Sequence, residues 1–104
     1  MLTATPFSPL TSDTTAVSVS GTTARGALNL QAGTPRGALT CRVYNATAVR
    51  VYIQFGDDTV TSTTAKMPIP AGGVEVFSIG GSTYIAGITD SGTGTVYATP
   101  GFGA

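Results

Sequence analysis

The chain has 104 residues, of which 41% are hydrophobic and only 10% are charged, with five basic side chains balancing five acidic ones. This length suits one domain, and the balanced charge argues against nucleic acid or an anionic membrane as a partner. Because there is no histidine and only one cysteine, a Ser-His-Asp triad and a Cys/His zinc site are excluded, and we expect no cofactor, no metal and no enzymatic activity.

The first thirteen residues read differently from the rest of the chain. Residues 1–13 contain two prolines and no sustained alternation, which predicts an extended arm ahead of a β domain over residues 14–104. The arm has no basic stretch followed by an unbroken apolar run, so we expect no secretion signal of its own. Phe7 and Leu10 are its large apolar side chains, and we expect them to anchor the arm where a partner covers them.

Thr, Ser, Gly and Val dominate the remaining sequence, which favours strands and turns over helices. Short alternating runs at 16–20 and 27–30 predict weak strands, and a stronger run at 39–43 follows. In this third run Cys41 alternates with polar neighbours, so we interpret it as a small core residue rather than a reactive thiol.

The clearest strand spans 49–55, where Val51, Ile53 and Phe55 share one predicted buried face. Residues 45–48 are a plausible hairpin connection from the preceding run. Such a hairpin would place two arginines and two tyrosines in one row, which could be a solvent-exposed face, a protein interface, or a surface that stacks bases or sugars. The residues of this row are Arg42, Tyr44, Arg50 and Tyr52.

Two short motifs have both an ordinary and a chemical interpretation. Asp57-Asp58 follows the strongest strand, where adjacent carboxylates could hold calcium but where Gly and Asp also form an ordinary turn. The turn is the favoured interpretation. The Asn45-Ala46-Thr47 sequence matches a glycosylation acceptor, which we treat as a chance match in the absence of a secretion signal.

The C-terminal half predicts one extended connection and three further strands. Two prolines within 66–73 exclude a central strand there. Runs at 74–79, 83–89 and 94–99, separated by Gly- and Ser-rich turns, predict a three-stranded meander. The whole chain therefore predicts an antiparallel β-sandwich of roughly seven to eight strands, jelly-roll or immunoglobulin-like, with an extended N-terminal arm.

Over roughly residues 38–101 the chain resembles the small β-sandwich virion proteins of tailed bacteriophages, the kind encoded near capsid genes. The resemblance lies in patterns of strand and turn residues rather than in catalytic signatures. The segments that carry it are Val43–Thr47, Val51–Gly56, Met67–Gly72, Val74–Phe77, Ser91–Tyr97 and Thr99–Gly101.

The resemblance implies a capsid decoration or cement protein that clamps neighbouring capsid subunits, often as a trimer. It would bind the major capsid protein or another virion protein, on the capsid exterior, after synthesis in the host cytoplasm. The alternative is a tail- or fibre-associated module that binds a receptor or a carbohydrate. No nucleic acid or membrane partner is expected in either case, since the net charge is zero.

Overall fold

The computed structural model describes residues 7–10, 14–30 and 39–103. Within these ranges the chain forms nine strands and no helix, so the predicted all-β class is confirmed. The strands are β1 (Ser8–Pro9), β2 (Thr15–Val19), β3 (Ala24–Ala27), β4 (Leu39–Asn45), β5 (Val51–Gly56), β6 (Met67–Ile69), β7 (Val74–Ser78), β8 (Tyr84–Thr89) and β9 (Gly94–Phe102).

The strands form two antiparallel sheets packed face to face. Sheet A has the order β2-β9-β4-β7, with β1 continuing along the β2 side of β9, and sheet B has the order β3-β8-β5-β6. The pairs β5·β6, β4·β7, β3·β8 and β2·β9 are nested, as if one long hairpin had been rolled up. This nesting defines a jelly roll, one of the two sandwich types that the sequence predicts.

The core lies where the alternating apolar residues of the two sheets meet. Leu39, Cys41 and Val43 of β4 are fully buried on the inner face of sheet A. Val51 and Ile53 of β5 are buried opposite them in sheet B, as predicted. Phe55, the third predicted core residue of β5, is partly buried at the edge of this cluster.

The predicted hairpin between 39–43 and 49–55 is wrong. β4 pairs with β7 and β9 in sheet A, whereas β5 pairs with β6 and β8 in sheet B. The turn after β4 therefore carries the chain from one sheet to the other. Alternation shows that each run has one buried face, but two runs facing each other across a core have the same alternation as two paired runs.

The side chain of Asn45 holds this sheet-to-sheet turn. It is fully buried, and its Nδ2 donates to the carbonyl oxygens of Val49, Ile69 and Pro70 at 2.8, 2.9 and 3.0 Å. Its Oδ1 accepts from the backbone N–H and the hydroxyl of Thr47 at 2.9 and 2.7 Å. The side-chain nitrogen of Asn45, to which a glycan would be attached in the glycosylation motif, is thus enclosed within the folded domain.

The predicted three-stranded meander is also wrong, although its turns are placed correctly. β7 and β9 belong to sheet A and β8 to sheet B, so each turn crosses between layers. Gly80 and Gly92 adopt φ values of 54° and 91° in these turns, a region that L side chains rarely enter. The glycines mark where the chain reverses but carry no information about which sheet the next strand joins.

The observed strands differ from the predicted elements in three smaller respects. The strand predicted at 27–30 lies earlier, at Ala24–Ala27. The proline-containing stretch at 66–73 includes a short strand, β6, at the edge of sheet B, where Pro68 is tolerated because one side of an edge strand needs no donor. Ser8 and Pro9 of the predicted arm pair with β9. Residues 1–6 and 11–13 of the arm lie outside the described residues.

Candidate protein-binding surface

The outer face of sheet A carries a row of exposed apolar side chains. Ala16, Tyr97, Tyr44 and Val74 are consecutive cross-strand partners on β2, β9, β4 and β7. Tyr44, Tyr97 and Val74 are 39%, 40% and 42% exposed. We call these four residues the tyrosine row. Large apolar side chains that are this exposed and contiguous are typical of a binding surface.

The rings of the two tyrosines at the centre of the row stack on each other. Their rings are 6.3 Å apart between centroids and inclined by only 16°. Such aromatic pairs contribute about 0.5–1.5 kcal/mol beyond their buried area, and each ring limits the rotamers of the other. The row is therefore an ordered apolar surface, so a partner would bind it with little loss of side-chain entropy.

Arg42 lies in the next row of the same face. Its cross-strand partners are Thr99 on β9 and Val76 on β7, and Thr99 shares a 2.8 Å hydroxyl hydrogen bond with Thr14. Among the described strand residues, Arg42 is the only charged one that the register places on this outer face. The surface thus combines aromatic rings, hydroxyl groups and a single exposed cation.

The two predicted anchors of the arm lie on opposite sides of sheet A. The ring of Phe7 covers Gly101 of β9, where a Cβ atom would stand 2.8 Å from the Phe7 Cζ. Leu10 packs against the core from the other side, and its backbone N–H donates to Pro100 O at 3.0 Å. Phe7 therefore shares an outer face with Arg42 and Tyr44, whereas Leu10 is an internal contact.

The predicted row of two arginines and two tyrosines is split between the sheets. Arg50 and Tyr52 belong to the sheet B side of the sandwich, because β5 lies in that sheet. Tyr52 is only 8% exposed and donates to Asp90 Oδ2 at 3.1 Å. Arg50 Nη1 donates to the Tyr52 hydroxyl at 3.3 Å, and this hydrogen bond is the main reason why the Arg50 pKa is raised.

The segment that follows β5 partly covers the outer face of sheet B. Arg25 Nη1 donates to the carbonyl oxygen of Val60 at 3.1 Å. The Ser62 hydroxyl donates to Tyr52 O at 2.8 Å, and Ala86, on the strand next to β5, is fully buried. Among the described residues, sheet A therefore has the more exposed outer face.

Asp57 and Asp58 form an ordinary turn. Asp57 Oδ1 accepts from the Thr59 hydroxyl at 2.6 Å and from its backbone N–H at 2.9 Å, and these bonds lower the Asp57 pKa. This is the Asx geometry that the turn interpretation requires. Across the described ranges, no three Asp, Glu, Cys or His residues come together as a metal site.

Cys41 is expected to resist alkylation in the folded protein. It is fully buried, and burial raises its pKa to about 12, so at pH 8 roughly one thiol in ten thousand is ionised. Labelling with a thiol reagent should follow unfolding and be complete only in denaturant. Rapid stoichiometric labelling of the folded protein would contradict the buried position.

On this face, Arg42, Tyr44 and Phe7 are predicted from the sequence as interface residues, whereas Ala16, Tyr97 and Val74 are not. The signal for Tyr97 was available, since it alternates with the buried Val96 and Ala98 of β9. What the sequence did not supply was its partner, because Tyr44 and Tyr97 become neighbours only through the pairing of β4 with β9.

Among the described residues, no helix is long and apolar enough to span a membrane. Comparison with protein-family models, with curated proteins and with solved structures found no match to this chain.

Proposed function

We propose that this protein is a non-enzymatic structural protein that binds a virion protein through the outer face of sheet A. Its role would be that of a decoration or cement protein on the capsid of a tailed bacteriophage. The observation that carries the proposal is the tyrosine row, with Tyr44 and Tyr97 stacked and about 40% exposed on an open sheet face. Tyr and Arg are residue types enriched at protein interfaces.

The size of the surface favours an assembly with many copies. Four strands about 4.8 Å apart and about five residues long give a flat area of roughly 300 Å². A stable pairwise complex usually buries about 800 Å² on each partner. One copy would bind weakly, and avidity between copies on a repeating lattice would supply the remaining affinity. Jelly rolls form capsid and lectin domains, which is an analogy of fold alone.

A second candidate function is binding of a glycan by a tail or fibre module. The parallel rings of Tyr44 and Tyr97, with Arg42 and the hydroxyl of Thr99 in the next row, are groups that can stack on and hydrogen-bond to a sugar. The chain has no tryptophan, so the stacking surface would rest on tyrosine alone. Saturable binding to sugars with no binding to capsids would favour this candidate.

Replacing both central tyrosines is expected to abolish most of the binding to capsids. Truncation of an interface hot spot typically costs about 1–2 kcal/mol or more, so the double variant Tyr44→Ala/Tyr97→Ala should bind purified capsids roughly 100-fold more weakly in a co-sedimentation titration. The fold should persist, because neither ring belongs to the buried core. Far-UV circular dichroism of the variant checks this.

Arg50→Ala is the control, because Arg50 is also exposed to solvent but lies beside sheet B, on the other side of the sandwich. It should leave capsid binding within about twofold of the unmodified protein. Equal weakening by both variants, or full binding by a folded double-tyrosine variant, would show that the outer face of sheet A is not the binding surface.

A further inference from the structure

Residues 7–10 lie along β9, and we call the part of β9 that they contact, residues 100–102, the groove. Ser8 and Pro9 pair with Phe102 and Gly101, and the Leu10 N–H donates to the next carbonyl of β9 at 3.0 Å. Only these few residues contribute to the contact. The eight strands of the jelly roll pair with one another without them.

The absence of a side chain at Gly101 leaves the space that the segment occupies. A Cβ atom at this position would stand 2.8 Å from Phe7 Cζ and 2.9 Å from Pro9 Cα, closer than real carbon atoms approach. On the other side of the sheet, Leu10 packs against the core. The segment therefore contacts both faces of sheet A. Phe7 packs on the outer face, Leu10 packs on the inner face, and the extended backbone between them pairs with β9.

The register places residues 7–10, rather than the residues directly before β2, beside this part of β9. Leu10 and Thr14 are four residues apart in the chain, yet their contacts on β9, Pro100 and Thr99, are adjacent. An uninterrupted continuation of β2 would have placed the polar residues 11–13 in the groove. The groove instead holds the apolar pattern Phe-x-Pro-Leu of residues 7–10.

We propose that the groove also accepts residues 7–10 of a second copy, so that exchange of this segment links copies of the protein. Every contact made within one chain can be made between chains, and residues 7–10 carry no charge that would oppose it. The jelly roll remains intact, since the exchanged segment lies outside it. Reciprocal exchange closes a dimer, and cyclic exchange closes a trimer.

Concentration decides which arrangement dominates. A segment tethered three residues away has an effective concentration on the order of millimolar for its own groove. In dilute solution the segment therefore occupies the groove of its own chain rather than that of a second copy. Exchange is expected where copies are crowded together, or where a chain cannot use its own groove. The inference needs only a second copy and does not depend on the proposed capsid role.

Two complementary full-length variants test the exchange. Gly101→Val blocks the groove but leaves the segment intact, and Phe7→Ala/Leu10→Ala weakens the segment but leaves the groove open. Each variant alone should sediment as a monomer in the upper micromolar range. When they are mixed, the free segment of the first should enter the open groove of the second and give a 1:1 complex in analytical ultracentrifugation and native mass spectrometry.

The control mixes Gly101→Val with the triple variant Phe7→Ala/Leu10→Ala/Gly101→Val, which has no open groove and should give no complex. Gly101→Ala replaces Gly101→Val if circular dichroism shows that the valine variant does not fold. The proposal is overturned if two folded complementary variants form no complex, or if the control mixture forms as much. Adding Tyr44→Ala/Tyr97→Ala to both chains should leave the complex unchanged, which separates this result from the test of the capsid-binding face.

Discussion

Replacing Asn45 with alanine is expected to lower the free energy of unfolding by on the order of 3–6 kcal/mol. The substitution removes the donor for the carbonyl oxygens of Val49, Ile69 and Pro70 and the acceptor for Thr47, in a fully buried position. Val49 O and Pro70 O keep other donors, the Thr47 hydroxyl and the Gly73 N–H, so the loss falls mainly on Ile69 O and the Thr47 N–H. Each buried polar group left without a partner costs about 1–3 kcal/mol. Domains of this size have only about 5–15 kcal/mol in total, so urea denaturation should show a largely destabilised protein.

Asn45→Asp separates the loss of hydrogen-bond donors from the loss of volume. Aspartate is nearly isosteric, but its carboxylate would face three carbonyl oxygens that now receive hydrogen bonds from Nδ2. This variant should be destabilised at least as much as the alanine variant at pH 7. Its stability should recover in part as the pH falls and the carboxyl group gains a proton. A stable aspartate variant at neutral pH would contradict the role assigned to Nδ2.

Replacing Ile53 with alanine is expected to cost about 2–5 kcal/mol, the usual range for truncating a fully buried aliphatic side chain. Ile53 is 2% exposed and lies in the centre of the core between the two sheets. For a domain of about 100 residues, each kcal/mol shifts Tm by roughly 4–8 °C. Differential scanning calorimetry should therefore show a fall in Tm of at least about 8 °C.

The adjacent residue provides the matched control. Gln54 is exposed and points to the opposite side of β5, so Gln54→Ala should change the free energy of unfolding by less than about 0.5 kcal/mol. Comparable effects of Ile53→Ala and Gln54→Ala would mean that β5 does not present one face to the core and the other to solvent.

Much of the local structure could be predicted because alternation records which side of a strand is buried. Leu39, Cys41 and Val43 were assigned to one face, and all three are fully buried. The turns at Asp57 and at Gly80 are likewise placed correctly. These features depend on a few neighbouring residues, whose backbone preferences and side-chain spacing are present in the sequence.

The candidate surface could be predicted only in part. Tyr44 and Tyr52 have a similar local pattern, an aromatic residue between two buried positions, yet one is 39% exposed and the other 8%. The Tyr52 hydroxyl bonds to Asp90, and Ser62 bonds to the Tyr52 carbonyl oxygen, so residues far along the chain help to cover Tyr52. Coverage by a distant part of the chain leaves no periodic signal in the strand that it covers.

The all-β class, the buried faces of β4 and β5 and the core position of Cys41 follow from the order of residues along the chain. The placement of β4 and β5 in different sheets and the stacking of Tyr44 on Tyr97 become visible only in the folded chain. The two groups of features differ in the range of the interactions that produce them. Burial patterns act along a single strand, whereas the nested pairing of a jelly roll depends on how two whole sheets close around one core.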